Sequence, residues 1–90
     1  MKLSKAIKKI EKATGVTAKK IGHHYSAIIG TEVIEFHTQQ DWQDKEGEES
    51  IVCISTRDVN QHSDAMTDYF PQTWHDNITQ AIKFALIYSK

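Results

Sequence analysis

The sequence is poor in cysteine and in long apolar runs, and each shortage excludes a class of protein. Its single cysteine, Cys53, excludes an internal disulfide and agrees with a reducing compartment. No apolar run approaches the roughly 18 residues of a membrane span, and the first residues lead into lysines instead of a signal-peptide core. We therefore expect a cytoplasmic protein with no membrane association.

Signatures of catalytic and metal-binding chemistry are missing as well. The sequence contains no nucleophile elbow, no phosphate-binding glycine loop and no recognisable paired-carboxylate cleft. Histidine and cysteine do not occur at the close spacings of zinc ligands, such as C-x-x-C or H-x-x-x-H. We therefore predict no enzymatic activity, no catalytic residues, no cofactor and no metal site.

What is present is the composition of one ordinary globular domain. A chain of 90 residues, 39% hydrophobic and 26% charged, has enough material for a single core, so we expect residues 1–90 to form one domain. The net charge is −1, but residues 1–20 carry seven lysines against one glutamate, which is +6 and leaves −7 for the remainder. Much of that negative charge lies in residues 41–49. This separation of charge bears on partners more than on fold.

Residues 3–16 have the pattern of an amphipathic helix. Ser4 is predicted as the N-cap and Gly15 as the left-handed residue that ends the helix, with Val16 folding back onto the last turn. The apolar residues recur at helical spacing: Leu3, Ile7, Ile10 and Ala13. The opposite side of the helix then carries Lys5, Lys8, Lys9 and Lys12.

A period of two after Lys20 predicts a β-hairpin over residues 23–38. Gly30-Thr31 suits a two-residue type II′ turn, because glycine accepts the positive φ at its first position. The resulting register pairs Tyr25 with Phe36, Ala27 with Ile34, Ile28 with Val33 and Ile29 with Glu32, and it places His24 opposite His37. One hairpin face is then apolar enough to meet helices.

The remainder of the chain predicts a third strand and a second helix. Residues 50–57 are rich in β-branched side chains. Thr73 is predicted as an N-cap with Asp76 in a capping box. The buried stripe of a helix over roughly 74–88 would be Trp74, Ile78, Ala81, Ile82 and Ala85. The expected fold is α+β, in α-β-β-β-α order, with a three-stranded antiparallel sheet and two helices packed on one face.

Two sets of residues are candidates for contact with a macromolecule. The bend at Pro71 predicts that Phe70 and Trp74 are structural anchors. Tyrosine and tryptophan are enriched in interface hot spots, which leaves Tyr69 and Trp42 as exposed candidates. The predicted partner-binding set is Trp42, Asp68, Tyr69 and His75. The alternative set lines a phosphate backbone: Lys5, Lys8, Lys9, Lys12, Lys19 and Lys20. In element order alone, the chain resembles the double-stranded RNA-binding domain, but it lacks the lysine cluster at the start of the second helix. A third and more distant hypothesis is a metal-dependent protein, because two imidazoles and a thiolate are zinc-like ligands, and whether His24, His37 and Cys53 converge is open at this point.

Residues 63–85 resemble a family of small domains from mobile elements. Asp68-Tyr69-Phe70-Pro71 followed by Asn77, Ala81 and Ile82 is similar to the large polyvalent protein-associated domains of phages and conjugative elements. The resemblance implies a phage or mobile-element protein in the cytoplasm of a bacterial host, one that counters host defence or handles transferred DNA. It supplies no catalytic residues. We therefore predict a non-enzymatic protein that binds a protein partner, with a nucleic-acid-binding module as the alternative.

Overall fold

Two helices and a five-stranded antiparallel sheet make up the described part of the chain. A computed structural model describes residues 1–21, 24–39, 49–59 and 73–89. The elements follow in the order α1 (Leu3–Thr14), β1 (Lys19–Ile21), β2 (His24–Ile29), β3 (Glu32–Gln39), β4 (Ser50–Asp58), β5 (Thr73–His75) and α2 (Ile78–Tyr88). The strands lie side by side in chain order, β1-β2-β3-β4-β5.

The predicted α+β class, with a helix first and a helix last, is confirmed, but the predicted number of strands is wrong. Both missed strands are three-residue edge strands. The first, Lys19–Ile21, is exposed at every position and so has no alternation of apolar and polar residues. The second, Thr73–His75, lies where the sequence predicted the start of the final helix.

The predicted hairpin is confirmed in the position of its turn and in its register from Tyr25–Phe36 to Ile29–Glu32, while residue 23 lies outside the described residues. Tyr25 pairs with Phe36, and the ladder continues to Ile29 opposite Glu32. Gly30 has φ +60°, the positive value that a tight hairpin turn needs at its first central position. The alternation of side chains therefore fixes which residues of β2 and β3 share a face.

A β-bulge changes the alternation within β4. His37 pairs with Cys53 but Thr38 pairs with Ile51, so Val52 has no partner in the β3–β4 ladder. The extra residue turns Ile51 to the side of the helices, where it packs against the core. The strand predicted over residues 50–57 is otherwise confirmed and extends to Asp58.

Helix α1 begins without the predicted side-chain cap. Ser4 lies inside the helix, the N-cap position is Lys2, and no side chain caps this end. The backbone N–H of Leu3 instead donates to the carbonyl oxygen of Glu49 at 2.8 Å, which ties the start of α1 to the start of β4. The predicted end of the helix is confirmed, because Gly15 is left-handed with φ +77° and its N–H donates to Glu11.

Helix α2 begins four residues later than predicted. Its N-cap is Asn77, whose side-chain oxygen accepts from the N–H of Gln80 at 2.9 Å. The Gln80 side chain accepts in turn from the N–H of Asp76 at 3.2 Å, an exchange that resembles a capping box displaced by one residue. The capping box predicted at Thr73 and Asp76 is therefore wrong.

Both helices pack on the same face of the sheet. The core joins α1 and α2 to alternate residues of the central strands: Leu3, Ala6, Ile10, Ala27, Ile29, Ile34, Phe36, Ile54, Ile78, Ala81, Ile82 and Ala85. The predicted stripe of α2 is confirmed except for Trp74, which belongs to β5 and is 54% exposed. None of the described helices is long and apolar enough to span a membrane.

Candidate functional site

The face of the sheet that the described helices leave uncovered carries exposed apolar side chains and contacting aromatic rings. We call it the second face. Strand alternation and register assign to it Lys19, Ile21, His24, Ser26, Ile28, Val33, Glu35, His37, Cys53, Ser55, Arg57 and Trp74. Three large apolar side chains on this face are about half exposed: Ile21 at 51%, Ile28 at 45% and Trp74 at 54%.

Three aromatic rings form a row across the second face. The ring centroids of His24 and His37 are 4.5 Å apart, at an interplanar angle of 54°. Those of His37 and Trp74 are 5.0 Å apart, at 47°. Tilted contacts at these distances are favourable for aromatic pairs. We call these three residues the ring row; it connects β2, β3 and β5.

His37 is the fixed member of the ring row. Its Nε2 lies 2.9 Å from the hydroxyl oxygen of Ser55, a residue of β4 with no exposed surface. Burial, and to a smaller extent the neighbouring His24, lower the pKa of His37, while Glu35 acts in the opposite direction. The arrangement therefore favours a neutral imidazole at the centre of the row.

Charges are few on the second face, and two of them are paired with each other. Arg57 Nε lies 2.6 Å from Glu35 Oε1, between the neighbouring strands β4 and β3. The remaining charged side chain that strand alternation assigns to this face is Lys19. The described part of the second face is therefore close to neutral and largely apolar or aromatic.

A shallow pocket of about 220 Å³ lies at the β1 end of the same face. Its lining combines the segment that follows α1 with the first two strands: Val16, Thr17, Lys19, Ile21, Ser26 and Ile28. The two exposed isoleucines supply much of its apolar wall. Its volume is on the scale of a single inserted side chain. The second face thus offers a recess at one end and an exposed tryptophan at the other.

The predicted contact residue His75 lies on the side of the helices. Its Nε2 is 2.8 Å from the Thr56 hydroxyl, and its ring centroid is 5.0 Å from that of Phe84 in α2. Burial lowers the pKa of His75, and Asp76 opposes that shift. The other predicted partner-binding residues, Trp42, Asp68 and Tyr69, lie outside the described residues.

The lysines of the alternative set are all exposed. Lys5, Lys8, Lys9 and Lys12 project from α1 on the side away from its buried residues, and Lys19 and Lys20 lie on the edge strand β1. The convergence of His24, His37 and Cys53 is partial, because the two imidazoles touch and Cys53 pairs with His37 in the ladder. Among the described residues, no three histidine, cysteine or acidic side chains are grouped closely enough to hold a metal ion.

The sequence interpretation missed Trp74 as a surface residue. A signal was available, because Asn77 is a better N-cap than Thr73 and is followed directly by the apolar stripe of α2. Starting the helix at Ile78 frees Thr73–His75 to form a strand. In that strand Trp74 necessarily faces away from its neighbours, onto the second face.

The geometry defines a class of molecule, an α+β sheet protein with one face packed under helices and the other carrying the ring row. No protein-family model, curated protein or solved structure was found to match the chain. The features that bear on its function are therefore the second face and the lysines of α1.

Proposed function

We propose that this protein is a non-enzymatic binding protein that recruits another protein through the second face. The observation that carries the proposal is that Ile21, Ile28 and Trp74, each about half exposed, lie on one face of one sheet. Ile21 pairs with His24, so the ring row connects it to Trp74, and exposed apolar and aromatic surface of this extent is typical of interaction sites. Tryptophan is among the residues that contribute most to binding energy in protein interfaces.

The chemistry of the second face favours a protein over a nucleic acid as its partner. Binding to a phosphate backbone depends on several unpaired cationic groups, whereas Arg57 on this face is engaged by Glu35. Aliphatic side chains such as Ile21 and Ile28 gain most from burial against another apolar surface. The pocket between them would receive one apolar side chain of the partner.

The family resemblance supports a narrower form of the proposal. In that form the chain comes from a phage or mobile element, acts in the bacterial cytoplasm, and inhibits a host defence system by occupying one of its proteins. Of the residues that carry the resemblance, Asn77 caps α2 while Ala81 and Ile82 are buried in the core. Their structural roles explain the pattern within the helix, so the support for this form comes from Asp68, Tyr69 and Phe70.

The test compares variants of the second face with a matched variant elsewhere. Tagged protein is used to capture partners from bacterial lysate, and the affinity of each purified partner is then measured by calorimetry. We expect Trp74→Ala and Ile28→Asp each to weaken binding at least about tenfold, because a hot-spot loss exceeds about 1.4 kcal/mol. Ile87→Asp, at an exposed isoleucine of α2, should leave the affinity unchanged. Equal losses in all three variants, or none, would contradict the proposal.

A second candidate function, nucleic-acid binding, is favoured by the lysines of α1. Lys5, Lys8, Lys9 and Lys12 are spaced to share one side of the helix and are all exposed. Such a stripe can follow a phosphate backbone, and each neutralised phosphate contributes about 0.9 to the log–log slope of affinity against salt. Lys8→Gln combined with Lys12→Gln should lower that slope by about 2, whereas Lys83→Gln on α2 should not change it. No duplex binding at about 50 mM salt would exclude this function.

A further inference from the structure

We propose that the His24–His37 pair makes the second face proton-sensitive, because the ring row holds Trp74 in place until both imidazoles are charged. The consequence for partner binding rests on the proposed function of that face. The proton sensitivity itself is a property of the free protein and depends on contacts within the sheet.

The first step is that Trp74 rests on a histidine that cannot easily move away. His37 contacts the other two rings of the row at once, at centroid distances of 4.5 and 5.0 Å. Its Nε2 is held by the buried hydroxyl of Ser55. Since a hydroxyl can both donate and accept, this hydrogen bond persists when the imidazole gains a proton. The first proton on the pair therefore leaves His37 where it is, close to His24, and displacing it takes a second charge.

Near the two imidazoles, the described strands provide no free carboxylate that would stabilise a second positive charge. The charged or titratable groups of the described strands that share the face with His37 are Lys19 on β1, His24 on β2, Glu35 on β3, and Cys53 and Arg57 on β4. Glu35 is the one carboxylate among them, and it is already bonded to Arg57. Two imidazolium rings at 4.5 Å would therefore repel each other with little compensation.

Repulsion between the charged rings of His24 and His37 changes the position of Trp74. A single proton on the pair is tolerated, because a charged imidazole and a neutral imidazole do not repel each other. The second proton pushes His37 away from His24 and off the Ser55 hydroxyl, and Trp74, which contacts His37, then loses its support. The lowered pKa of His37, caused by burial and by His24, agrees with a pair that takes its second proton reluctantly. Because Trp74 is the proposed anchor, partner binding should weaken in acid.

The experiment first uses the free protein. In Trp42→Phe, Trp74 is the single tryptophan and reports by its fluorescence and its indole N–H resonance, while the histidine rings are followed by NMR from pH 8 to pH 5. We expect the NOEs between the Trp74 indole and the His37 ring to be lost with the same midpoint as the His37 ring, because these NOEs report displacement and not charge alone. Adding His24→Gln should shift the His37 midpoint to higher pH and preserve these NOEs down to pH 5. His75→Gln, a histidine on the other face, should leave both unchanged.

Two results would overturn the inference: Trp74–His37 NOEs that persist throughout the titration of the His37 ring, or a loss of these NOEs in His24→Gln. His24→Asn provides a second removal of the imidazole, and NMR spectra at pH 8 verify that each variant is folded. A Trp74→Ala variant that binds its partner normally would contradict the proposed function alone. A Trp74 signal unresponsive to pH, in a protein whose partner binding does depend on Trp74, would contradict this inference alone.

Discussion

Trp74 and His37 contact each other on the second face although strand β4 runs between their strands. Their ring centroids are 5.0 Å apart, and the residue opposite Trp74 in the ladder is the fully buried Ser55. A small residue at that position lets the indole reach across β4 to the imidazole. The contact makes a three-residue edge strand part of the same surface as the central hairpin.

The first prediction concerns the stability cost of losing this indole. Trp74→Ala should lower the free energy of unfolding by about 1–2 kcal/mol, because only about half of the ring is buried. Phe36→Ala, at a core residue with no exposed surface, should cost about 3–5 kcal/mol. Urea denaturation of both variants measures the difference. A Trp74→Ala cost equal to that of Phe36→Ala would show that the indole is buried and not a surface group.

The second prediction separates the observed helix cap from the one that the sequence pattern favoured. Asn77→Ala should destabilise the protein by about 1 kcal/mol, because its side chain accepts from the N–H of Gln80. Thr73→Ala should stay within about 0.5 kcal/mol, since Thr73 is an exposed residue of an edge strand. Thermal or urea unfolding of the pair provides the comparison. A larger loss of stability in Thr73→Ala than in Asn77→Ala would show that Thr73, and not Asn77, caps α2.

The hairpin could be predicted because its determinants are local. Gly30 supplies the turn, and the alternation on either side of it fixes the register for every pair from Tyr25–Phe36 to Ile29–Glu32. A shift of one residue would have exposed Ile34 and Phe36 and buried charge in their place. The core face of the sheet was therefore determined by the sequence of one segment.

The edge strands and the ring row depend on partners that are distant in the chain. Lys19–Ile21 has no apolar alternation of its own, and it forms a strand because β2 offers it a free edge. Thr73–His75 pairs with Ile54–Thr56, some twenty residues earlier. The contact of Trp74 with His37 follows from that pairing. The local sequence around Trp74 therefore contains no information about its contact with His37.

The third prediction concerns a buried carboxyl group on the helix side of the sheet. Glu32 is 8% exposed and pairs with Asp58 across the strands, and burial, followed by the charge of Asp58, raises its pKa above the ordinary value. A raised pKa means that the folded state holds this proton more tightly than the unfolded chain does. Stability is therefore lost as the pH rises through the raised pKa.

Glu32→Gln should accordingly be more stable than the parent protein at pH 7. The advantage should shrink as the pH falls through the raised pKa and disappear below 4.5, the ordinary value, where the carboxyl is protonated in both states. Urea denaturation at several pH values measures it. Glu11→Gln, at an exposed carboxylate of α1, should show no comparable gain. A Glu32→Gln variant less stable than the parent at pH 7 would mean that the charged carboxylate has a favourable partner.

The fourth prediction concerns His75 and its hydrogen bond to Thr56 beneath α2. Burial lowers the pKa of His75 below 6.5, so the unfolded chain binds a proton at a pH where the folded state does not. Stability from this residue is therefore complete above 6.5 and is lost as the pH falls toward the lowered pKa. We expect the free energy of unfolding to decline from pH 7.5 to pH 5.5 less steeply in His75→Gln than in the parent. Thr79→Ala, at an exposed residue of α2, should retain the full decline. A His75→Gln profile parallel to that of the parent would show that folding does not change the pKa of His75.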